Sequence, residues 1–382
     1  MDWMVTPAAY RALSDVLPST LAALGTAGFT DVLGIPRCRS AAVLLVDGLG
    51  WSLLREHAAD APVLNSLATG APLVAGFPTT TATSITSLGT GRRAGEHGIV
   101  GYTFAEPSGG LLYPLAWASR GADGRRRGLL DEWPPETAQP TPTALERAAA
   151  AGVTVRSAAP ADFAGSGLTR AALRGGEFRG VHALGDLGAE LLTALADPGP
   201  ALCYGYHGHL DLVGHVHGPG SLPWRIQLAQ VDRLVDSVLQ RLPAESVLLV
   251  VADHGMVPVD PADTVDVDAD PALRSGLRLI GGEPRARHLY PLPGARDDVL
   301  HTWQDALGER GTVVTRDQAV DEGWFGPVVT DEVLPRIGEV LALARDGAII
   351  RSAAEPGESA LRGQHGSLTA AEQHVPLLIA QG

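Results

Sequence analysis

Two apolar runs, each ending in a carboxylate, constrain this chain more than any other feature. Ala41-Ala42-Val43-Leu44-Leu45-Val46 leads into Asp47-Gly48, and Val247-Leu248-Leu249-Val250-Val251-Ala252 leads into Asp253-His254-Gly255. Unbroken apolar runs of this length, stopped by Gly and charged residues, read as strands buried on both faces, as in a parallel sheet covered by helices. A further strand is expected over 201–206, running into the His- and Gly-rich segment 207–219. Helices expected over 51–57, 63–68, 143–151, 184–196 and 224–242 alternate with these strands and with one over 153–158. The fold class that follows is α/β, a doubly wound, mostly parallel sheet flanked by helices.

The rest of the chain fits around that core. Residues 8–17 and 21–24 read as helical turns, 71–77 as a strand, and 103–140, with Gly109-Gly110 and Pro134-Pro135, as a surface insertion. From about 257 to 360 the rhythm breaks into short strands (287–292, 312–315) and helices (297–307, 331–337). We read this stretch as an inserted α+β cap. Residues 1–256 and 361–382 then make up the catalytic core, ending in a loop at 363–367 and a last strand over 375–380.

Composition excludes several classes. The chain has 382 residues, 45% of them hydrophobic, and a net charge of −14, which argues against a nucleic-acid polymer as partner. All 29 basic residues are Arg, so neither a lysine Schiff base nor a P-loop lysine is available. The basic run Arg125-Arg126-Arg127 lies in a Gly-rich stretch and reads as a solvated turn. No apolar run reaches the roughly 18 residues that cross a bilayer, and the N-terminus lacks the pattern of a signal peptide. A cytoplasmic protein with no membrane partner is expected. Cys38 and Cys203 are too few for a disulfide framework and are assigned to packing.

Between the two apolar runs lies Phe77-Pro78-Thr79-Thr80-Thr81-Ala82-Thr83-Ser84, a loop turning into a helix with a hydroxyl at almost every position. Two readings are open: an over-capped surface helix, or a turn that offers unpaired helix N–H groups to an anion. The strand-end loops bear on the choice. Ligands bind at the carboxyl ends of strands in open α/β sheets, and Asp47, Asp211, His215, Asp253, His254 and His365 are all expected in such loops. Asp and His together suit zinc or a similar divalent ion, and six of them suit two ions with open positions left for substrate. Asp211 and His215, four apart, share one face of a helix. His207, His209 and His217 either orient these ligands or are exposed beside them.

The segments Asp47-Gly48, Pro78-Thr79-x-Thr81, Asp211-x-x-Gly214-His215-x-x-Gly218-Pro219, Asp253-His254-Gly255 and Gly363-x-His365-Gly366 resemble, in order and spacing, the nucleotide pyrophosphatase/phosphodiesterase branch of the alkaline phosphatase superfamily. The resemblance implies an alkaline phosphatase-like core. It implies one zinc ion on Asp47, Asp253 and His254, another on Asp211, His215 and His365, and Thr81 as a nucleophile that also touches the first metal. The expected activity is phosphodiester hydrolysis through a phosphothreonine, on a small phosphorylated substrate such as a nucleotide or another phosphodiester. The family's phosphodiesterases place an Asn after the His-Gly-Ile segment, where this chain has Tyr102. Its phenol either replaces one hydrogen bond to the phosphate or forms a packed wall. Two alternatives stand beside the main reading. One is a phosphomonoesterase or phosphomutase of the same superfamily, favoured if Arg287 or Arg362 reaches the pocket; the other is a catalytically silent binding protein.

Overall fold

The computed structural model describes residues 3–6, 11–120 and 126–382. Its centre is a six-stranded sheet made of β1 (Ser40–Val46), β2 (Thr154–Pro160), β3 (Glu177–Val181), β4 (Ala201–His207), β5 (Ser246–Val251) and β6 (Leu377–Gln381). The spatial order is β6-β5-β1-β4-β2-β3, parallel throughout except for the antiparallel edge strand β6. The two apolar runs are its inner strands, with every residue of β1 and β5 buried. The helices Leu184–Leu195 and Leu222–Leu239 supply Leu191, Leu228, Val231 and Val235 to the same core. The chain therefore has the expected α/β architecture.

Strand order positions the site. Leu45 of β1 lies opposite Val251 of β5 and Tyr206 of β4, so three neighbouring strands end level. Adjacent strands are about 4.8 Å apart, so the residues that follow them, Asp47, Asp253 and the helix His209–His217, are brought side by side.

Several local expectations are corrected. The 3-10 turn Leu13–Asp15, inside the expected 8–17, runs directly into one helix, Val16–Ala23, that bridges the two expected turns, because Pro18 falls in its first turn, where no N–H is needed; residues 8–10 lie outside the described residues. Within 71–77 only Leu73–Val74 forms a strand. It pairs with His374–Val375 outside the central sheet, so the expected last strand over 375–380 is divided between two sheets. The helix expected over 331–337 is a single 3-10 turn, Leu334–Arg336.

Within 257–360, a second sheet orders its antiparallel strands Leu277–Glu283, Ala286–Pro291, Val340–Ala344 and Gly311–Thr315. The helix Arg296–Leu307 covers it, with Trp303, Leu289 and Val340 in a separate apolar cluster. The segment expected to be a surface insertion is also more structured than that. Phe104–Ala105, Leu111–Tyr113, Ala118–Arg120 and Arg126–Gly128 form a four-stranded meander that buries Phe104, Leu112 and Trp117. It meets the second sheet through the Gly282 N–H, which donates to the Thr103 carbonyl at 2.7 Å. Among the described residues, no helix is long and apolar enough to cross a membrane.

Candidate metal centre and nucleophile turn

Asp47 and Asp253 leave their strands into a buried pocket. Asp253 Oδ1 accepts from the N–H groups of Gly48 (3.1 Å) and His254 (3.0 Å), and Asp47 Oδ2 accepts a short hydrogen bond from the Tyr206 hydroxyl. The opposite oxygens, Asp47 Oδ1 and Asp253 Oδ2, are buried with no hydrogen-bond partner. Between them lies His254 Nε2, 3.5 Å from the first and 3.4 Å from the second. Burial, then the charges of Asp253 and Asp211, push the Asp47 carboxyl well above the usual carboxylate range.

A second group adjoins the first. Asp211 and His215 lie one turn apart on the helix His209–His217, with His215 Nε2 3.3 Å from Asp211 Oδ2. His365 comes from the loop after the short strand Gly363–Gln364, which pairs with Val257–Pro258 just beyond His254. Its Nε2 lies 3.8 Å from Asp211 Oδ1, another buried oxygen without a partner. The His254 and His365 rings stack at 3.6 Å, joining the two groups. Within each group the candidate ligand atoms lie within 4.8 Å of one another.

The chemistry of this donor set fits two cations. A carbonyl can only accept, so the contacts His215 Nδ1 to Gly363 O (2.7 Å), His254 Nδ1 to Gly255 O (3.0 Å) and His365 Nδ1 to Thr79 O (2.7 Å) place the proton on Nδ1. Each Nε2 then presents a lone pair inward, as in ligands oriented by backbone carbonyls. Two such lone pairs, on His215 and His365, face each other at 3.2 Å. Opposed lone pairs and three orphaned carboxylate oxygens are destabilising by themselves and become favourable around divalent ions.

Thr81 is the first residue of the helix Thr81–Thr90, and its Oγ1 lies 3.3 Å from His254 Nε2. It alone in this helix is partly exposed. The neighbouring hydroxyls do not cap the helix as expected. Thr80 occupies the cap position without a side-chain bond, while Thr86 and Thr90 donate back to the carbonyls of Ala82 and Thr86 at 2.7 Å. Thr79 joins the His365 loop, donating to Ser367 O (3.0 Å) and accepting from Gly366 N (2.9 Å).

Among the described residues, the other sequence candidates make their side-chain contacts elsewhere. Tyr102 donates its backbone N–H to Glu283 Oε2 at 2.9 Å and packs its ring edge-on against Tyr113. No hydrogen bond joins its phenol to Thr81 or to the Asp and His groups among the described residues. Arg287 is buried and paired with Glu358 (2.8 Å) and Glu355 (3.7 Å), so it does not serve the pocket. Arg362 holds His215 only through its backbone, its N–H donating to the His215 carbonyl at 2.7 Å. His207 is buried against Gln227, and His209 and His217 are exposed.

Three supporting residues went unrecognised in the sequence. Tyr206 fixes Asp47, although in the sequence it is simply an aromatic strand residue. Glu372 accepts from Ser367 N at 3.0 Å beside the His365 loop and is neutralised by buried Arg285. Glu283 reaches from the cap to Tyr102 and lies where a Cβ on Gly366 would fall. Nothing in its local sequence marks it.

An α/β fold with two adjacent Asp/His groups that could each hold a metal ion is what the chain presents. The type I phosphodiesterase/nucleotide pyrophosphatase family matches residues 41–368, and the chain belongs to that family of metal-dependent phosphoric ester hydrolases. Similar solved structures include human ectonucleotide pyrophosphatase/phosphodiesterase 5, at 19% identity and TM-score 0.68 over 90% of this chain and 88% of that one. The murine counterpart, as an inactive threonine-to-alanine variant in complex with AMP, gives 18% identity and TM-score 0.67 with the same coverage. Phosphonoacetate hydrolase from Sinorhizobium meliloti, in complex with phosphonoacetate, gives 19% identity and TM-score 0.65 over 91% and 90% of the two chains. No curated protein sequence matches the chain.

Proposed function

We propose that this protein is a di-zinc phosphodiesterase or nucleotide pyrophosphatase that cleaves small phosphodiesters through a covalent phosphothreonine on Thr81. Asp47, Asp253 and His254 would hold one ion, and Asp211, His215 and His365 the other. Bound divalent ions supply Lewis-acid chemistry, lowering the pKa of a hydroxyl beside them and offsetting the charge of a phosphate and of a departing alkoxide. The observation that carries the reading is the convergence of Thr81 Oγ1 on His254 Nε2 at 3.3 Å, beside the orphaned oxygens of Asp47 and Asp253.

From there the chain's own groups account for the steps. Thr81 Oγ1, its proton released to solvent, attacks phosphorus in line; the P–O bond to the leaving group breaks, the departing alkoxide takes up a proton from solvent, and the phosphoryl group, still carrying its second ester, is held on Thr81. Unpaired N–H groups of the first turn of Thr81–Thr90 are directed at the non-bridging oxygens, where charge accumulates. Water then attacks from the vacated side, releasing the phosphoryl product and restoring the hydroxyl. Tyr206 keeps Asp47 oriented, and the carbonyls of Gly255, Gly363 and Thr79 keep the three imidazoles in the required tautomer.

The murine relative's inactive threonine-to-alanine form and its bound AMP favour a threonine nucleophile and a nucleotide-like substrate. Pairing of Arg287 with Glu355 and Glu358 weighs against the monoesterase and mutase alternatives, which need free cationic side chains at the phosphate. We further propose that residues 257–360 act as a cap shaping the leaving-group side. Two unpaired cysteines, Cys38 and Cys203, support a cytoplasmic setting. Thr81→Ala tests the mechanism: turnover of aryl phosphodiesters should fall to background while bound metal is unchanged. Retained turnover would move the nucleophile elsewhere. Comparing kcat/KM for aryl mono- and diesters with the wild-type enzyme decides the ester class, and a preference for monoesters would overturn the diesterase reading.

A further inference from the structure

The meander and the second sheet flank an open cavity of about 940 Å3, faced by Arg120 and Arg127 on one side and by Arg274, Arg278 and Arg351 on the other, all exposed except the half-buried Arg351. Five guanidinium groups around one cavity are out of keeping with a chain of net charge −14. Among the described residues two carboxylates line it, Glu106 and Glu355, and both are already committed. Glu106 accepts from the backbone and hydroxyl of Ser108 (both 2.6 Å) and from Gly110 N (3.1 Å), closing its own turn. Glu355 accepts from the Tyr113 hydroxyl at 3.2 Å and pairs with Arg287 and Arg351, each at 3.7 Å.

The arginines divide accordingly. Arg127 pairs with Glu132, and Arg351 with Glu355, although the Nε of Arg351 is buried with no partner. Among the described residues, Arg120, Arg274 and Arg278 have no carboxylate partner. Arg120 donates to Ala354 O (3.2 Å), Arg278 donates to Gly109 O (3.1 Å), and Arg274 has no hydrogen bond or ion pair. These three come from separate elements, the strand Ala118–Arg120, the helix Pro271–Arg274 and the strand Leu277–Glu283. A guanidinium keeps its charge at any physiological pH, and its planar fork matches carboxylate and phosphate oxygens.

This cavity is set apart from the Thr81 turn. Ile280 lines it, whereas Glu283, three residues along the same strand, contacts the Tyr102 and His365 loops. At about 3.3 Å per residue the two lie roughly 10 Å apart. Tyr113 joins them, lining the cavity while its ring meets that of Tyr102 edge-on at 6.2 Å.

We propose that this cavity is a second ligand site, which binds a small organic polyanion carrying two or more phosphate or carboxylate groups. The inference does not depend on the proposed reaction, because it rests on three arginines away from the Asp and His groups that have no carboxylate partner among the described residues. The probe for the test is pyrene trisulfonate, a fluorescent trianion with no phosphorus and little affinity for zinc, titrated by anisotropy into the wild-type metal-loaded protein. Saturable binding of one dye per chain is expected, weakened at least tenfold in the Arg274→Ser/Arg278→Ser variant and, on the opposite wall, by Arg120→Ser, and weakened by added salt. Absent saturable binding, or wild-type affinity in either variant, would overturn the proposal. Displacement of the bound dye by a sugar bisphosphate or by tricarballylate, in the Thr81→Ala protein, tells a phosphate ligand from a carboxylate one; displacement by neither at millimolar concentration also overturns it.

Discussion

Buried charge lies on both sides of the loop 363–367, and it is balanced in opposite ways. On one side two carboxylates have counterions: Glu372 meets Arg285 at 2.9 Å, and Glu358 meets Arg287 at 2.8 Å, with all four side chains largely or wholly buried, while Glu283 keeps one buried oxygen without a partner and its carboxyl is pushed up by burial. On the core side Asp47, Asp211 and Asp253 face one another with no arginine between them, and each keeps one buried oxygen without a partner. A buried ion pair is neutral when the chain folds. Three converging carboxylates are not, and a bound cation would offset their repulsion. The paired carboxylates fit a structural role, and the core cluster fits the metal-holding role proposed for it.

Substitutions that remove one charge should therefore act in opposite directions. The largest expected effect is on activity. Asp47→Asn should lose about one equivalent of metal and roughly 10^4-fold or more in kcat, while in chelator it melts no lower than the wild type, because a buried anion has gone. A lower melting point in chelator would show that Asp47 is structural. Next comes stability: Arg285→Ala leaves Glu372 buried and unpaired, at a cost of about 3–5 kcal/mol read by urea unfolding. An unchanged midpoint would remove the distinction between the two clusters.

Smaller effects sharpen the comparison. Tyr206→Phe deletes the hydroxyl that donates to Asp47 and should weaken metal binding about 10–100-fold, measured by competition with a chelating dye. Unchanged affinity would mean that Asp47 needs no orienting partner. The smallest effect concerns Glu283, whose carboxyl burial pushes up to about 8. Between the ordinary glutamate range and pH 8 the folded state then holds a proton that the unfolded chain has released. This contribution is fully present below pH 4.5 and is lost as the pH rises through about 8. Glu283→Gln should flatten the fall in melting temperature between pH 6 and 8, and an unaltered slope would place Glu283 outside this linkage.

How much could be read in advance follows from what each residue must do. Apolar runs 41–46 and 247–252 are legible because a strand covered on both faces leaves no alternation to confuse. Asp and His at their ends stand out because few structural roles need them there. The cap sheet was harder to read. Its strand Leu277–Glu283 contains Gly281-Gly282, and its central strand Val340–Ala344 has too few β-branched residues to be distinguished from a helix. Hydroxyls at 79–84 suggest capping, yet Thr80 caps nothing and Thr79 ties the His365 loop, a long-range contact invisible to local pattern. Tyr206 was missed for the same reason: its partner lies 159 positions away.

The central claim, that the core cluster is completed by two cations, is tested most directly by counting them. Protein purified without chelator and analysed by inductively coupled plasma mass spectrometry should carry two divalent ions per chain, predominantly zinc, falling to about one when Asp211 is replaced by Asn. A folded wild-type protein that contains no stoichiometric metal, and takes none up from zinc-buffered solution, would contradict the account.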